Sequence, residues 1–254
     1  SGCAPYNQAN SLDPNDPIQG VNRTVFAFND AVDQVLFKPI AKGYNAIVPQ
    51  PIDTAVTNFF SNLQDIDSSV NNLFQGKFDL FANDLGRVAI NSTIGIGGLI
   101  DVASEVGLQK TGEDLGQTLG YHGINAGPYL VLPLLGSNST RDLPGTIVSM
   151  IINPLAWLND ISLRNQLVGV NAVDTRSDLI SKEEIAKEIS DDKYTLYKNA
   201  YLEERAFEVN DGQMDESDLQ DLADKFYILE KGKTVWNGFS KNLTSKIAQR
   251  YLGV

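Results

Sequence analysis

In 254 residues there is one cysteine, Cys3, and one histidine, His122. A disulfide needs two thiols and the usual zinc sites need several cysteine or histidine ligands, so both chemistries are excluded. A nucleophilic cysteine needs a base held beside it, and a chain end is the part least able to hold one. Long apolar runs are also missing. YLVLPLL and TIVSMIINPLAWL are the best stretches, both contain proline, and neither approaches the roughly 18 to 20 residues of a spanning helix. Positive charge is scarce, with 20 basic against 32 acidic side chains and a net charge of −12, which argues against a nucleic-acid partner. The sequence holds no GxxxxGK[ST] loop and no GxSxG elbow, so nucleotide cradling and serine-hydrolase chemistry are both disfavoured.

What is present begins with composition. Apolar residues make up 42% of the chain, enough for the core of one large domain. The charge is unevenly spread: residues 1 to 173 carry 8 basic and 15 acidic side chains, residues 174 to 230 carry 7 and 17, and residues 231 to 254 carry 5 and none. A basic tail after an acidic region implies either different partners or mutual pairing, while solvated faces are the plainer account. The tripeptide Ser1-Gly2-Cys3 has the form of a bacterial lipoprotein acylation site, with a chance cysteine behind a Ser-Gly remnant as the alternative.

Periodicity predicts a mainly α fold of amphipathic helices. Val21, Val25, Phe28, Val32 and Leu36 recur at steps of three and four, and Pro39 is expected to end that helix. Ile52, Val56, Phe59, Phe60 and Leu63 mark a second helix, with Pro51 in its first turn, and Phe78, Phe81, Leu85 and Val88 mark a third. Such aromatic stripes ordinarily face a core, but spacing alone does not separate core from lipid. Ten glycines between Gly95 and Gly136 exclude one long helix and predict short helices and tight turns. Ile147, Met150 and Ile151 begin another helix that Asn153-Pro154 interrupts, and one helix is expected to carry Tyr194, Tyr197 and Tyr201. In the tail, Val235, Phe239, Leu243, Ile247 and Tyr251 recur at every fourth position among Lys233, Lys241, Lys246 and Arg250, the pattern of a basic amphipathic helix.

Six runs in order carry a resemblance: DPIQGVNRTVFAFN, KPIAKGYNAIVPQP, NNLFQGKF, RVAINSTIGIGGLIDVA, LGQTLGYHGINAGPYLVLPLLG with STRD after it, and DTRSDL with YKNAYLEERAF. From about Asp16 to Asp211 the chain resembles the MlaA/VacJ outer-membrane lipoproteins. Departures are Gln19, where the family usually has an acid, Leu115, where it has phenylalanine, and His122, where it has an aromatic ring. Residues 213 to 254 lie outside the family pattern.

The resemblance implies a single ring-like domain of amphipathic helices over residues 16 to 212, after a lipidated leader of residues 1 to 15, while the pattern of residues 213 to 254 themselves predicts a helical extension. It implies acylation at Cys3, with Ala4 consistent with export to the Gram-negative outer membrane. The function implied is removal of mislocalised glycerophospholipids from the outer leaflet through an amphipathic channel, beside a trimeric porin, with delivery to the periplasmic carrier MlaC. No cofactor, metal or catalytic residue is implied. Candidate channel or gating residues are Asn22, Arg23, Arg87 and Asn91, with Gly95, Gly97 and Gly98 shaping a loop. For Arg23 and Arg87, pairing with a carboxylate is the alternative to contact with phosphate, and Arg141 and Asp142 are expected to make local contacts. The competing functions are a lipoprotein tether for porins and other envelope components, and a phospholipase, which the lone histidine disfavours.

Overall fold

The computed structural model describes residues 13–190, 192–213, 225–230 and 233–239. It divides into two compact units, Ser1–Tyr201 and Leu202–Val254. The division falls within the helix Lys193–Val209.

The first unit is mainly helical. α1 spans Gln19–Val32 and α2 spans Lys38–Ile47, joined without a break by a π-helical turn at Asp33–Phe37. Pro39 therefore does not end the helix. Its ring would press on the carbonyl four residues back and it has no N–H to give, and the wider π turn just before it absorbs both defects. Pro49 does end α2, and α3 runs over Gln50–Phe74 with Pro51 in its first turn, roughly 37 Å of helix at 1.5 Å per residue. A short connection, turned by Gly76 at φ +76°, leads into α4, Phe78–Thr93. The two make a helical hairpin.

The glycine-dense region forms α5, Val102–Glu105, and α6, Leu115–Tyr121, as short helices. It also forms a β-hairpin, β1 Tyr129–Leu132 antiparallel to β2 Gly136–Ser139, which the sequence reading does not include. α7, Asp142–Ile152, stops at Asn153, whose side chain caps one 3-10 turn at Pro154–Trp157. α8, Ile161–Ile189, and α9, Lys193–Val209, follow, and α9 carries Tyr194, Tyr197 and Tyr201 as expected.

In the second unit, Lys225–Glu230 forms β3 and pairs antiparallel with β4, Lys233–Phe239. This corrects the expected tail helix at Val235 and Phe239. A step of four residues fits one face of a helix, but it is also a multiple of the strand period of two, and Thr234, Val235, Trp236 and Phe239 are β-branched or aromatic. Leu243, Ile247 and Tyr251 lie outside the described residues.

Polarity in the first unit is inverted relative to an ordinary globular core. Its fully buried large side chains include Arg87, Asn22, Asn72, Asp16, Asp65 and Asp84, beside Tyr129. On the outside, Val21, Phe28, Ile52, Leu85, Ile147 and Ile151 are exposed, and Phe78 is 67% exposed. The helical stripes are where periodicity places them, yet Val21, Phe28, Ile52, Phe78 and Leu85 face outward while Phe60 is buried.

Candidate functional site

The polar interior is built mainly on α3 and α4. The buried residues of α3 are Phe60, Asn62, Asp65, Ser68, Ser69, Asn71 and Asn72, and those of α4 are Asp84, Arg87 and Asn91. Steps of three and four put Asn62, Asp65, Ser69 and Asn72 on one face of α3, and Asp84, Arg87 and Asn91 on one face of α4. The two faces meet, so a stripe of amides, hydroxyls and charges runs along the inside of the hairpin.

Arg87 is the hub of its upper part. With 2% of its side chain exposed it sits against Asp65 at 0%, its Nε donating to Asp65 Oδ2 at 2.9 Å. Its Nη1 donates to Ser104 Oγ at 3.0 Å and to the Leu108 carbonyl at 2.7 Å, and its Nη2 reaches Asp101 Oδ2 at 3.3 Å. Burial pushes the Asp65 carboxyl up, and the Arg87 charge opposes that push. Burial acts in the same direction on Asp101. There, hydrogen bonds from Ser104 and Asn91, with the Arg87 charge, outweigh it and bring the carboxyl down to about 2.

Asn91 ties the following loop to the same hub. Its Nδ2 donates to Asp101 Oδ1 at 2.9 Å, and its Oδ1 accepts from the Ala103 N–H at 2.9 Å. Gly95 packs so closely that a Cβ there would lie 2.2 Å from the Ile100 carbonyl oxygen and 2.5 Å from that of Asn91. Gly98 has φ +92° and a Cβ there would meet Asn62 Nδ2 at 2.8 Å. Gly97 also has positive φ but faces open space. The loop is thus pinned underneath by polar groups while Ile94, Ile96, Leu99 and Ile100 are exposed above it, Ile96 by 66%.

The polar seam continues past Arg87. Asn72 Nδ2 donates to Asp84 Oδ2 at 2.8 Å and to Thr111 Oγ1 at 3.0 Å. Gln75 Nε2 donates to Glu113 Oε2 at 2.7 Å and to Thr118 Oγ1 at 3.1 Å, and Lys77 pairs with Glu113 at 3.3 Å. Thr118 Oγ1 donates in turn to Asn71 Oδ1 at 2.9 Å, and Ser149 on α7 donates to Asp67. Four buried acceptors on α3, Asp53 Oδ1, Asn62 Oδ1, Asp65 Oδ1 and Asn72 Oδ1, accept from no protein group. An interior like this retains capacity for polar guests such as water.

Asn22 and Arg23 lie elsewhere, on α1 against β1 and α9. Asn22 Nδ2 donates to Asp16 Oδ1 at 2.8 Å and to the Tyr129 carbonyl at 2.9 Å, while its Oδ1 accepts from the Val131 N–H at 3.0 Å. Arg23 makes a two-pronged contact with Asp192, at 3.1 and 2.8 Å, and its guanidinium lies 4.4 Å from the Tyr194 ring centroid. The structure therefore brings Arg87, Asn91, Gly95 and Gly98 together and places the Asn22–Arg23 pair in a different set of contacts. Both arginines have carboxylate partners. Arg141 and Asp142 pair with each other at 2.7 Å. His122 is exposed, its Nδ1 2.8 Å from the Thr118 carbonyl and its ring edge-on to Tyr121. Cys3 lies outside the described residues.

Sequence reasoning passed over Asp65, Asp101 and Asp16, the carboxylates that hold these groups. A signal for the first was present: Asn62, Asp65, Ser69 and Asn72 form a polar stripe at helical spacing as regular as the apolar one. Among the described residues no helix is long and apolar enough to cross a membrane, and no cluster of three or more His, Cys, Asp or Glu is arranged to hold a metal ion.

Comparison with known proteins places these features in context. The family described as MlaA lipoprotein matches residues 14–208. The intermembrane phospholipid transport system lipoprotein MlaA of Haemophilus influenzae is 33% identical over 224 residues, 85% of this chain and 88% of that protein. The protein of that name from Escherichia coli is 32% identical over 204 residues, covering 78% and 80%. An uncharacterized protein of Rickettsia prowazekii is 35% identical over 195 residues, covering 76% and 78%. Among solved structures, a chain from work on the structural basis for maintenance of bacterial outer membrane lipid asymmetry superposes with a TM-score of 0.67 at 31% identity. It covers 77% of this chain and 99% of its own length.

Proposed function

This chain belongs to the MlaA lipoprotein family, and from that premise we propose that it draws mislocalised glycerophospholipids from the outer leaflet of the Gram-negative outer membrane. It passes them to the periplasmic carrier MlaC while sitting beside a trimeric porin. Acylation at Cys3 anchors it, since two or three buried chains hold where one, at about 0.8 kcal/mol per methylene, holds marginally. The protein is a conduit, and no bond is made or broken in the lipid.

The observation that carries this reading is the inverted polarity of the first unit, in which Asp65, Asn72, Asp84 and Arg87 are inside and Phe78, Leu85, Ile94 and Ile96 are outside. An apolar exterior is at home in acyl chains. Helices satisfy their own backbone hydrogen bonds there, so no spanning segment is required. A polar interior addresses the main obstacle to lipid movement, the desolvation of a charged headgroup. A charged group at a bilayer centre costs from about 3 to over 10 kcal/mol. Lowering a barrier by about 7 kcal/mol accelerates passage about 10⁵-fold. Passage of this kind equilibrates populations and does not drive them, so direction comes from the acceptor downstream.

The test is a deletion strain in which surface-exposed phospholipid is measured, complemented by the wild-type chain and by Cys3→Ala. Accumulation of surface phospholipid that only the wild type fully reverses supports the proposal. A normal outer leaflet in the deletion strain overturns it in favour of a tether. Release of lysophospholipid or free fatty acid by the pure protein overturns it in favour of an enzyme.

A further inference from the structure

Most cations of the first unit are paired with carboxylates: Arg23 with Asp192, Lys38 with Glu183, Arg87 with Asp65, and Arg176 with Asp33. Lys110, in the loop between α5 and α6, differs. Its Nζ donates to two neutral acceptors on consecutive turns of α3, Ser61 Oγ at 2.6 Å and Gln64 Oε1 at 3.2 Å. Among the described residues no carboxylate comes within ion-pair distance of it. An ammonium has three N–H donors, so one remains for a further acceptor.

The surroundings of Lys110 have two sides. Toward the interior are Asp65, Asp101 and Asp84, close enough to favour its charge, and Arg87, which opposes it. Crowding by neighbouring protein has a larger effect and pushes the ammonium below its ordinary pKa, although the side chain keeps contact with solvent. Lys110 is nevertheless an exposed residue, so a ligand can reach its Nζ from solvent. Toward the outside is apolar chain: Asn58, one turn before Ser61 on α3, donates to the Leu99 carbonyl at 3.2 Å, and the Leu99 and Ile100 side chains are exposed. A cation without a carboxylate partner and an exposed apolar segment are thus held on neighbouring turns of α3.

We propose that Lys110, with the Ser61 hydroxyl and the Gln64 amide, receives the phosphodiester of a lipid headgroup while an acyl chain of the same molecule lies along Leu99 and Ile100. The inference rests on the transport reading above and names the group that recognises the substrate within it. The free N–H of Lys110 donates to a phosphate oxygen, Ser61 turns its hydroxyl from acceptor to donor, and Gln64 presents its two amide N–H groups. Arg87 cannot take this role without abandoning Asp65, a fully buried carboxylate that would be left uncompensated. Lys110 gives up only neutral acceptors. The apolar segment selects a lipid over inorganic phosphate, which has nothing to place there.

The experiment uses the full chain in detergent, titrated with phosphatidylglycerol and with diacylglycerol of the same acyl chains, with bound lipid counted by native mass spectrometry. Lys110→Ala is expected to weaken phosphatidylglycerol about 10-fold, the scale of one charge-assisted hydrogen bond, and to leave diacylglycerol unchanged. Lys110→Arg is expected to stay within about threefold of wild type, and Ser61→Ala with Gln64→Ala to weaken phosphatidylglycerol again, with unchanged thermal midpoints throughout. An equal loss for both lipids in Lys110→Ala marks a structural role and overturns the proposal. So does Lys110-dependent binding of inorganic phosphate with phosphatidylglycerol binding unaffected, which marks a free-anion site. If wild type and Lys110→Ala bind both lipids alike, this inference fails and the transport reading stands. If wild type binds neither, both fail.

Discussion

Asn22 and Asn29 stand seven residues apart on α1 and clamp β1 and the turn that follows it. Asn22 takes the Tyr129 carbonyl and the Val131 N–H, at 2.9 and 3.0 Å, and Asn29 takes the Leu132 carbonyl and the Leu134 N–H, both at 2.8 Å. Seven helical residues rise about 10.5 Å and three strand residues about 10 Å, so the second clamp repeats the first at matched spacing. Each asparagine thereby satisfies a donor and an acceptor of the backbone, Asn22 on β1 and Asn29 at the end of β1 and in the turn after it. Truncation of Asn22, which is buried, is expected to cost about 1–3 kcal/mol and that of Asn29 less, because water reaches its partners. Chemical denaturation of Asn22→Ala and Asn29→Ala measures this, and equal losses at the two sites would contradict it.

The Arg87 hub gives an asymmetric expectation. Arg87→Met leaves Asp65 buried without its counter-charge and is expected to destabilise by about 3–5 kcal/mol. Arg87→Met combined with Asp65→Leu removes both charges and is expected to recover much of that loss, read from denaturation midpoints. If the double variant is no better than the single one, Arg87 is not chiefly Asp65's partner.

Gly95 and Gly98 are constrained for different reasons. Gly95→Ala drives a Cβ into two backbone carbonyls, which cannot move aside as a side chain can, whereas Gly98→Ala meets the Asn62 side chain and an unfavourable φ. Each is expected to lose about 1–3 kcal/mol, while Gly20→Ala, with open space at the same point, is expected to be neutral or slightly stabilising. Thermal melts of the three variants decide the order.

Asp101 sets an acid limit on the loop that Arg87 holds. Its folded-state pKa, about 2, lies below the ordinary 3.8, so the ionised form contributes stability above pH 3.8 that is lost as pH falls toward 2. Amide exchange at Ala103 and Ser104, whose N–H groups depend on Asn91 and Asp101, is expected to accelerate across that window. In Asp101→Asn the acceleration should already be present at pH 5. Unchanged protection in that variant would remove Asp101 from the role.

The outward isoleucines of the glycine loop are expected to meet lipid. Ile96→Asp, at an exposed position with nothing to pair the charge, should reduce binding of the protein to vesicles by roughly 10- to 100-fold if the loop sits in hydrocarbon. Vesicle flotation measures it, with equal binding of wild type and variant as the contrary outcome.

Much of the fold could be read from residues. The stripes at Phe78 and Leu85, Pro51 at a first turn and the three tyrosines of α9 each depend on local spacing, which one helix shows by itself. Pro39 misled because a single π turn, a defect with no sequence mark, lets a helix continue through it. The tail misled at Val235 and Phe239 because a four-residue step serves a strand as well as a helix, and pairing with Lys225–Glu230 selects the strand. The hairpin of β1 and β2 is hard to read because β2, Gly136–Ser139, has no β-branched or aromatic residue, and β1 is held partly from α1, more than 100 residues away in sequence.

Amphipathicity, the family runs and the single cysteine and histidine were determined by the chain alone, since each is read directly from the sequence. Which side of each helix became the interior was decided only in three dimensions. Arg87 is buried because Asp65, Ser104, the Leu108 carbonyl and Asp101 converge on one guanidinium from three separate segments. Only when all its donors are met is burying that charge tolerable, and no sequence spacing reports that they meet.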